Sequence, residues 1–225
     1  MEWDVAVDCD ALKRPIISRG TMGFYRNVIL PNLCDLSMRN KRLRPYRERV
    51  IGAAEGRVLE IGAGSGLNLQ LYRSGATEVL ALEPDQNLLR MAERNAKNAP
   101  RPVTFLEASA EHIPLEDASV DTVVTTWTLC TIPDAVGALQ EARRVLKAAG
   151  RLVFVEHGLA PERNVQKWQN GLTPVWMRIT GGCHLNRPIA QIIETAGFAI
   201  ERLDTGYLPG PKFLAFLSEG SARPI

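Results

Sequence analysis

The alternation of apolar and polar positions divides this chain into short, regularly spaced elements. The clearest runs from Val58 to Gly66. Val58, Leu59 and Ile61 suit a strand covered on both faces, interrupted only by Glu60. Gly62, Gly64 and Gly66 follow as a turn that permits positive φ and close approach of a ligand. That turn predicts a short helix over Asn68–Arg73, with free N–H groups facing the ligand. Thr77–Leu82 predicts a second strand, ending at Glu83-Pro84-Asp85. Asp85 is placed to cap a helix carrying Leu88, Leu89, Met91, Ala92 and Ala96. Val103–Leu106 and Val120–Thr125 predict strands three and four. Pro133-Asp134 opens a helix with Val136, Leu139, Ala142, Val145 and Leu146 as its apolar set, closed by Gly150 before a fifth strand at Arg151–Val155. This order predicts an α/β fold, a parallel sheet with helices on both faces. Residues 158–186 interrupt it without a strand pattern. A helix from about Arg187 to Ala196 and two closing strands, Phe198–Leu203 and Phe213–Leu217, complete the chain.

Residues 1–21 lack periodicity and are expected to be a loose leader to a single domain over 22–225. In residues 22–50 Val28, Ile29, Leu33, Leu36, Met38 and Leu43 alternate with Arg26, Arg39, Lys41, Arg42, Arg44, Arg47 and Arg49. This predicts one or two amphipathic helices broken near Pro31 and Pro45. A cap with a solvated basic face, a flap over the ligand and a lipid-facing surface all fit that pattern.

Composition narrows the classes. With 225 residues, 45% hydrophobic and 23% charged, the chain has the make-up of a soluble globular protein. A net charge of +2 gives no basic excess for nucleic acid. The apolar runs are too short to span a bilayer, and no signal peptide is expected. Cys9, Cys34, Cys130 and Cys183 have no CxxC spacing, so neither a metal site nor a disulfide framework is expected, and the cytoplasm is the expected location. A monomer or weak dimer is expected.

The glycine turn alone admits several nucleotide ligands. Two details favour a ligand without a pyrophosphate. Gly66 follows Gly64 by two residues rather than three, and Glu60 would repel a phosphate but accept from an ammonium. Glu83, ending the second strand, can take both hydroxyls of a ribose. Together with Ala81–Asp85, Ala110–Pro114, Val120–Val124 and Glu141–Gly150, the Val58–Gly66 stretch resembles the class I S-adenosylmethionine-dependent methyltransferases of the ubiquinone/menaquinone-biosynthesis type. The resemblance covers Arg57 to Leu217. It implies a Rossmann-like seven-stranded sheet with an antiparallel last strand and an N-terminal helical cap. It implies S-adenosylmethionine as methyl donor and S-adenosylhomocysteine as product. Glu60, Gly62, Ala63, Gly64, Gly66 and Asn68 would then hold the methionine moiety, and Glu83 with Pro84 the ribose. Ser109, Ala110 and Glu111 would line the adenine, and Thr126 and Trp127 would wall the sulfonium. The family commonly has Asp where Ser109 stands, which weakens that contact unless Glu111 compensates.

The acceptor side is less determined. Thr126-Trp127-Thr128-Leu129 lacks the Asn/Asp-Pro-Pro-aromatic turn of enzymes that methylate base or amide nitrogens. Residues 156–187 and Thr128–Ile132 resemble the methyltransferase-like thiol methyltransferases and small bacterial relatives often labelled phospholipid methyltransferases. The mammalian members carry an N-terminal membrane anchor; none is read here, so a soluble relative is expected. The expected activity is in-line methyl transfer to a small, fairly apolar acceptor, a thiol first, with a phospholipid, quinone or other natural product as the alternative. Peripheral lipid contact fits either reading. His157 is the candidate base, with a hydrogen-bonded turn histidine as the alternative. Arg187 would stabilise a thiolate or anion, or else pair with a neighbouring acid. Trp168 and Trp176 would wall the acceptor or simply pack a lid, and Cys183 and His184 would lie beside it. A nicotinamide-dependent oxidoreductase and a non-catalytic donor-binding domain are the competing classes.

Overall fold

The computed structural model describes residues 25–225; the expected leader over 1–21 lies outside the described residues. A π-helical turn, Tyr25–Ile29, leads into α1, Leu30–Met38, and α2, Arg44–Gly52. Pro31 and Pro45 sit in the first turns of these helices, where a missing N–H costs nothing. The sheet follows: β1 Gly56–Ile61, β2 Ala76–Leu82, α3 Gln86–Asn95, β3 Val103–Leu106, β4 Val120–Thr126, α4 Ala135–Val145 and β5 Leu146–His157. Then come α5 Arg163–Ile179, α6 Ile189–Thr195, β6 Phe198–Tyr207, α7 Lys212–Ala215 and β7 Phe216–Pro224.

The seven strands lie in the order β3-β2-β1-β4-β5-β7-β6. All pairs are parallel except those of β7, which runs antiparallel to β5 and β6. Successive residues point to opposite faces, and both faces are covered. Leu59, Ile61, Leu80, Leu82, Leu152 and Phe154 pack with Leu139, Ala142 and Val145 of α4 and with Ile189 and Ile193 of α6. Val58, Val79, Ala81, Val124, Val153 and Val155 pack on the other side with Val50 and Ile51 of α2 and Ala92 of α3. Asp85 caps α3 as expected, accepting from Asn87 N at 2.8 Å and Leu88 N at 3.0 Å.

Five expectations need correction. Asn68–Arg73 forms linked turns, not a helix: Leu69 N donates to Gly66 O and Leu71 N to Asn68 O, while the Asn68 and Tyr72 side chains are drawn inward to Glu60. The helix expected to end at Gly150 stops at Val145, and Leu146 already pairs with Val120. The segment 158–186 contains a 17-residue helix, α5, hidden in the sequence by Gly171 and by Pro174 in its interior. Arg187 lies before α6, because Pro188 occupies its N-cap and disfavours a helical residue in front of it. Finally, Lys212–Ala215 is a helical turn, so the last strand begins at Phe216, and β6 extends to Tyr207 along an exposed edge where alternation fades.

Candidate active site

β1 delivers the glycine loop to the C-terminal edge of the sheet, where Gly62 N and Ala63 N both donate to Leu82 O, at 2.9 and 3.1 Å. The three glycines have left-handed φ for different reasons. A Cβ on Gly62 would overlap the Thr128 side chain, and one on Gly66 would come within 2.9 Å of Ala92 Cα in α3. Only Gly64 faces open space: its added Cβ would meet nothing nearer than Gly62 O at 4.0 Å. Its N–H donates to Glu83 Oε2 at 2.9 Å, and Asp85 N donates to Glu83 Oε1 at 3.0 Å. Each carboxylate oxygen keeps lone-pair capacity for a diol. Burial raises Glu83 above the usual carboxylate range, and the two backbone donors draw it back.

Beneath the loop, Glu60 projects from β1 toward α2. It accepts from Asn68 Nδ2 at 2.6 Å and Tyr72 OH at 2.9 Å. Burial pushes Glu60 up to about 7, against the pull of these two donors. Asn68 Nδ2 also reaches Thr126 Oγ1 at 3.0 Å, which leaves Asn68 Oδ1 buried without a partner among the described residues. A buried, unpaired amide oxygen suits an ammonium donor. The open face at Gly64, the Glu83 carboxylate and this oxygen therefore fit the amino-acid and ribose ends of S-adenosylmethionine.

Two residues close this side that the sequence reading left in the cap. Arg47 is 8% exposed, its guanidinium 5.4 Å from the centroid of the Trp127 ring. Its Nε has no partner among the described residues, and burial lowers its pKa against the pull of Glu60 and Asp35. The signal was present: Leu43, Arg47, Val50, Ile51 and Ala54 form one helical stripe, in which Arg47 is the charged member. Asp35 on α1 accepts from Ser65 Oγ at 2.6 Å and so ties the cap to the loop. A groove of about 310 Å³ between cap and loop is walled by Arg39, Lys41, Arg44 and Arg47. Trp127 itself has φ 51°, a conformation costly for a bulky side chain, held by its N–H donating to Val155 O at 2.9 Å.

Ser109 Oγ lies 3.2 Å from Glu111 Oε2, and Glu111 Oε1 accepts from Asp134 N at 2.8 Å. Glu111 therefore links the loop after β3 to the start of α4; Ala110 between them is buried and Pro84 is exposed.

Across the crevice, His157 ends β5. Its Nε2 stands 3.0 Å from Cys183 Sγ, which lies 3.6 Å from Cys130 Sγ. The Cys130 contact, with burial, raises the Cys183 thiol far above its ordinary value. Burial pushes the His157 imidazole down, while Cys183 and Glu156 more than offset it. Arg187 is held by carbonyls rather than by an acid: Leu129 O at 2.6 Å and Pro133 O at 3.2 Å, with His184 Nδ1 at 3.3 Å. His184 also contacts Cys130 O, through its N–H at 2.8 Å and Nδ1 at 3.1 Å. Glu156, missed in the sequence, is buried and accepts from Thr128 N at 2.9 Å and Leu129 N at 3.2 Å. Trp176 is partly buried, its Nε1 unpartnered among the described residues, whereas Trp168 is 66% exposed on α5.

Comparison with known proteins fits this architecture. A family model described as "Methyltransferase domain" matches residues 59–154. Thiol S-methyltransferase TMT1B of Homo sapiens is 32% identical over 185 residues, 78% of this chain and 74% of that protein. The same-named protein of Rattus norvegicus is 37% identical over 65% of this chain, but the match spans only 62% of its own length. Among solved structures, an S-adenosylmethionine-dependent methyltransferase of Leishmania major shares the fold with a TM-score of 0.66 at 17% identity, over 91% of this chain and 82% of that one. With a donor loop of this geometry and a relative of this extent, the chain belongs to the class I S-adenosylmethionine-dependent methyltransferases.

Proposed function

We propose that this protein transfers the methyl group of S-adenosylmethionine to the thiol of a small, fairly apolar acceptor. The observation that carries the reading is the pairing of two sites at one sheet edge. Gly64 and Glu83 stand at the ends of β1 and β2, and the His157–Cys183–Cys130 group at the ends of β4 and β5. The similarity to the human and rat thiol S-methyltransferases supports a thiol in particular. On the donor side, Glu83 takes the ribose, Asn68 Oδ1 the ammonium and Arg47 the carboxylate, with Ser109 to Glu111 along the adenine. Trp127, under the Arg47 guanidinium, walls the reacting sulfonium. The chain's main contribution is alignment of two reactants, worth about 7–11 kcal/mol when the geometry is right. A thiol then asks little more, since an ordinary thiol near pKa 8.5 is already a few per cent ionised at neutral pH. His157 is the group placed to help it. Arg187 holds the Leu129–Pro133 loop in place, and Trp176 borders the acceptor.

No helix among the described residues is long and apolar enough to cross a membrane. An acceptor that diffuses to the site as a small molecule fits a cytoplasmic location. The test is a panel of alkyl thiols, phenols, quinones and phospholipids, read as S-adenosylhomocysteine release. Turnover is expected with apolar thiols and not with phenols of the same size. Turnover confined to quinones or phospholipids would replace the thiol reading.

A further inference from the structure

Cys130, His157 and Cys183 are far apart in the chain, yet their ligand atoms all lie within 4.8 Å of one another. We propose that these three residues form a binding site for a soft divalent cation, Zn²⁺ by the chemistry of the donors, with a fourth position left for the acceptor thiol. The second half of this proposal rests on the thiol reading above; the first does not.

Two sulfurs and one imidazole nitrogen are the donor set that selects zinc over magnesium or calcium. Zinc–sulfur distances of about 2.3 Å and zinc–nitrogen distances of about 2.0 Å, in tetrahedral geometry, place ligand atoms about 3.5–3.8 Å apart. The Sγ–Sγ separation of 3.6 Å already matches, and the Nε2–Sγ separation of 3.0 Å needs a side-chain shift of a few tenths of an ångström. Zinc sites with four protein ligands are closed and structural, whereas sites with three keep a position for substrate.

The backbone behind each ligand is held. The Cys130 carbonyl is gripped by His184, and the preceding residue is fixed through both its N–H, by Glu156, and its carbonyl, by Arg187. His157 is the last residue of β5 and pairs in register with Leu217 of β7. Cys183 follows Gly181 and Gly182, whose φ values of 72° and 110° turn the chain back after α5, and Gly182 N donates to Met177 O at 2.8 Å. Such support around the ligands is what orients a metal site. The cluster also lies at the C-terminal ends of β4 and β5, the edge of an open α/β sheet where ligands bind.

With the cation bound, His157 serves as a ligand and the metal replaces it in activating the thiol: a thiol taking the fourth position gives its proton to water and binds as thiolate. The thiolate electron pair forms the new S–CH₃ bond. The bond between methyl carbon and sulfonium breaks, and its pair stays on the departing sulfur. Anion and sulfonium become two neutral thioethers, and the methylated product, now a weak ligand, leaves the site.

The experiment uses the full chain, reduced, stripped of metal and dialysed against Zn²⁺, with Co²⁺ as a spectroscopic stand-in. One equivalent of Zn²⁺ is expected per chain. The Co²⁺ form should show thiolate-to-cobalt absorption in the near ultraviolet and tetrahedral d–d bands that shift when an alkyl thiol is added. Cys183→Ser should weaken zinc affinity at least tenfold, and His157→Ala should do so while keeping the thiolate absorption. The wild-type cobalt spectrum decides even if a variant does not fold. No bound metal, or a Cys130–Cys183 disulfide in protein alkylated on isolation, would overturn the site. Metal bound without any spectral response to thiol, or metal-free protein methylating thiols at the full rate, would overturn the fourth position. Metal bound with no thiol methylated would leave the cation site standing and remove the thiol reading.

Discussion

Glu60 and Glu83 are both buried carboxylates at the donor loop, and their surroundings set them different tasks. Glu83 accepts from Gly64 N and Asp85 N and keeps lone pairs for a ribose, so Glu83→Gln, with its single acceptor oxygen, should keep one of these backbone contacts while losing the other and a charge-assisted contact to the donor. Such a contact is worth about 1.5–3 kcal/mol, and calorimetric titration with S-adenosylhomocysteine should find Kd raised roughly 10- to 100-fold. Unchanged affinity would remove the ribose assignment. Glu60 instead braces Asn68 and Tyr72, and burial raises it to about 7 from the 4.5 of an ordinary glutamate. Between those values the native state keeps a proton that the unfolded chain has lost, so stability is greatest below the window and falls as pH rises through it. The Tm of the ligand-free protein should drop as pH rises from about 4.5 to about 7. Glu156, raised to about 7 by burial, acts in the same direction, so the part that Glu60→Gln abolishes is that of Glu60. An ammonium beside Asn68 favours the ionised carboxylate, so donor binding should release protons in the same window. Titrations in buffers of different ionisation enthalpy would measure that release.

The cap shows how an element's pattern can carry a site residue. α2 buries one stripe against β4 and β5, and Arg47 occupies a core position in it. α1 is tied to the loop by Asp35 and Ser65, and the outer face of α2 to β7 by Arg49, which makes two hydrogen bonds to Glu219 at 2.8 and 2.6 Å. The helices therefore lie against the donor loop. A buried guanidinium with an unpaired Nε costs stability that a methionine of similar reach would not. Arg47→Met should raise stability by about 1–3 kcal/mol, measured by denaturant melts, and raise Kd for the donor about tenfold or more. Lower stability with unchanged affinity would make Arg47 a scaffold residue. Elsewhere on the surface, α1 and α5 leave Leu33, Leu36, Trp168, Val175 and Ile179 exposed; Leu33 and Leu36 belong to the expected apolar set of the cap, and Trp168 was expected at the acceptor or packed in a lid.

Across the whole molecule, donor binding must appear as stability. A ligand at 100 times its Kd adds about 2.7 kcal/mol, which for a chain of this size is a Tm rise of roughly 5–11 °C. S-adenosylhomocysteine should produce that shift in the wild type and much less of it in Glu83→Gln at the same concentration. No shift in the wild type would contradict the donor site. The order of strands and helices was readable along the chain because burial on both faces leaves apolar runs, unbroken at Leu152–Val155 and broken only by Glu60 at Val58–Ile61. The donor loop was readable because Gly62, Gly64, Gly66 and Glu83 are consecutive or one strand apart, and local spacing carries their chemistry. Side-chain periodicity did not reveal α5, where Gly171 and Pro174 break the signal and tertiary contacts compensate. Nor could it reveal what meets across the sheet edge. The helical stripe marks Arg47 as inward-facing, but that it meets Trp127 is decided only when α2 docks. Cys130, Cys183 and His157 read as scattered residues without metal spacing until the parallel strands bring the loops after β4 and β5 to the same edge. Local order in the chain determined the elements and the methyl-donor loop; only long-range packing decided which distant side chains share the other half of the crevice.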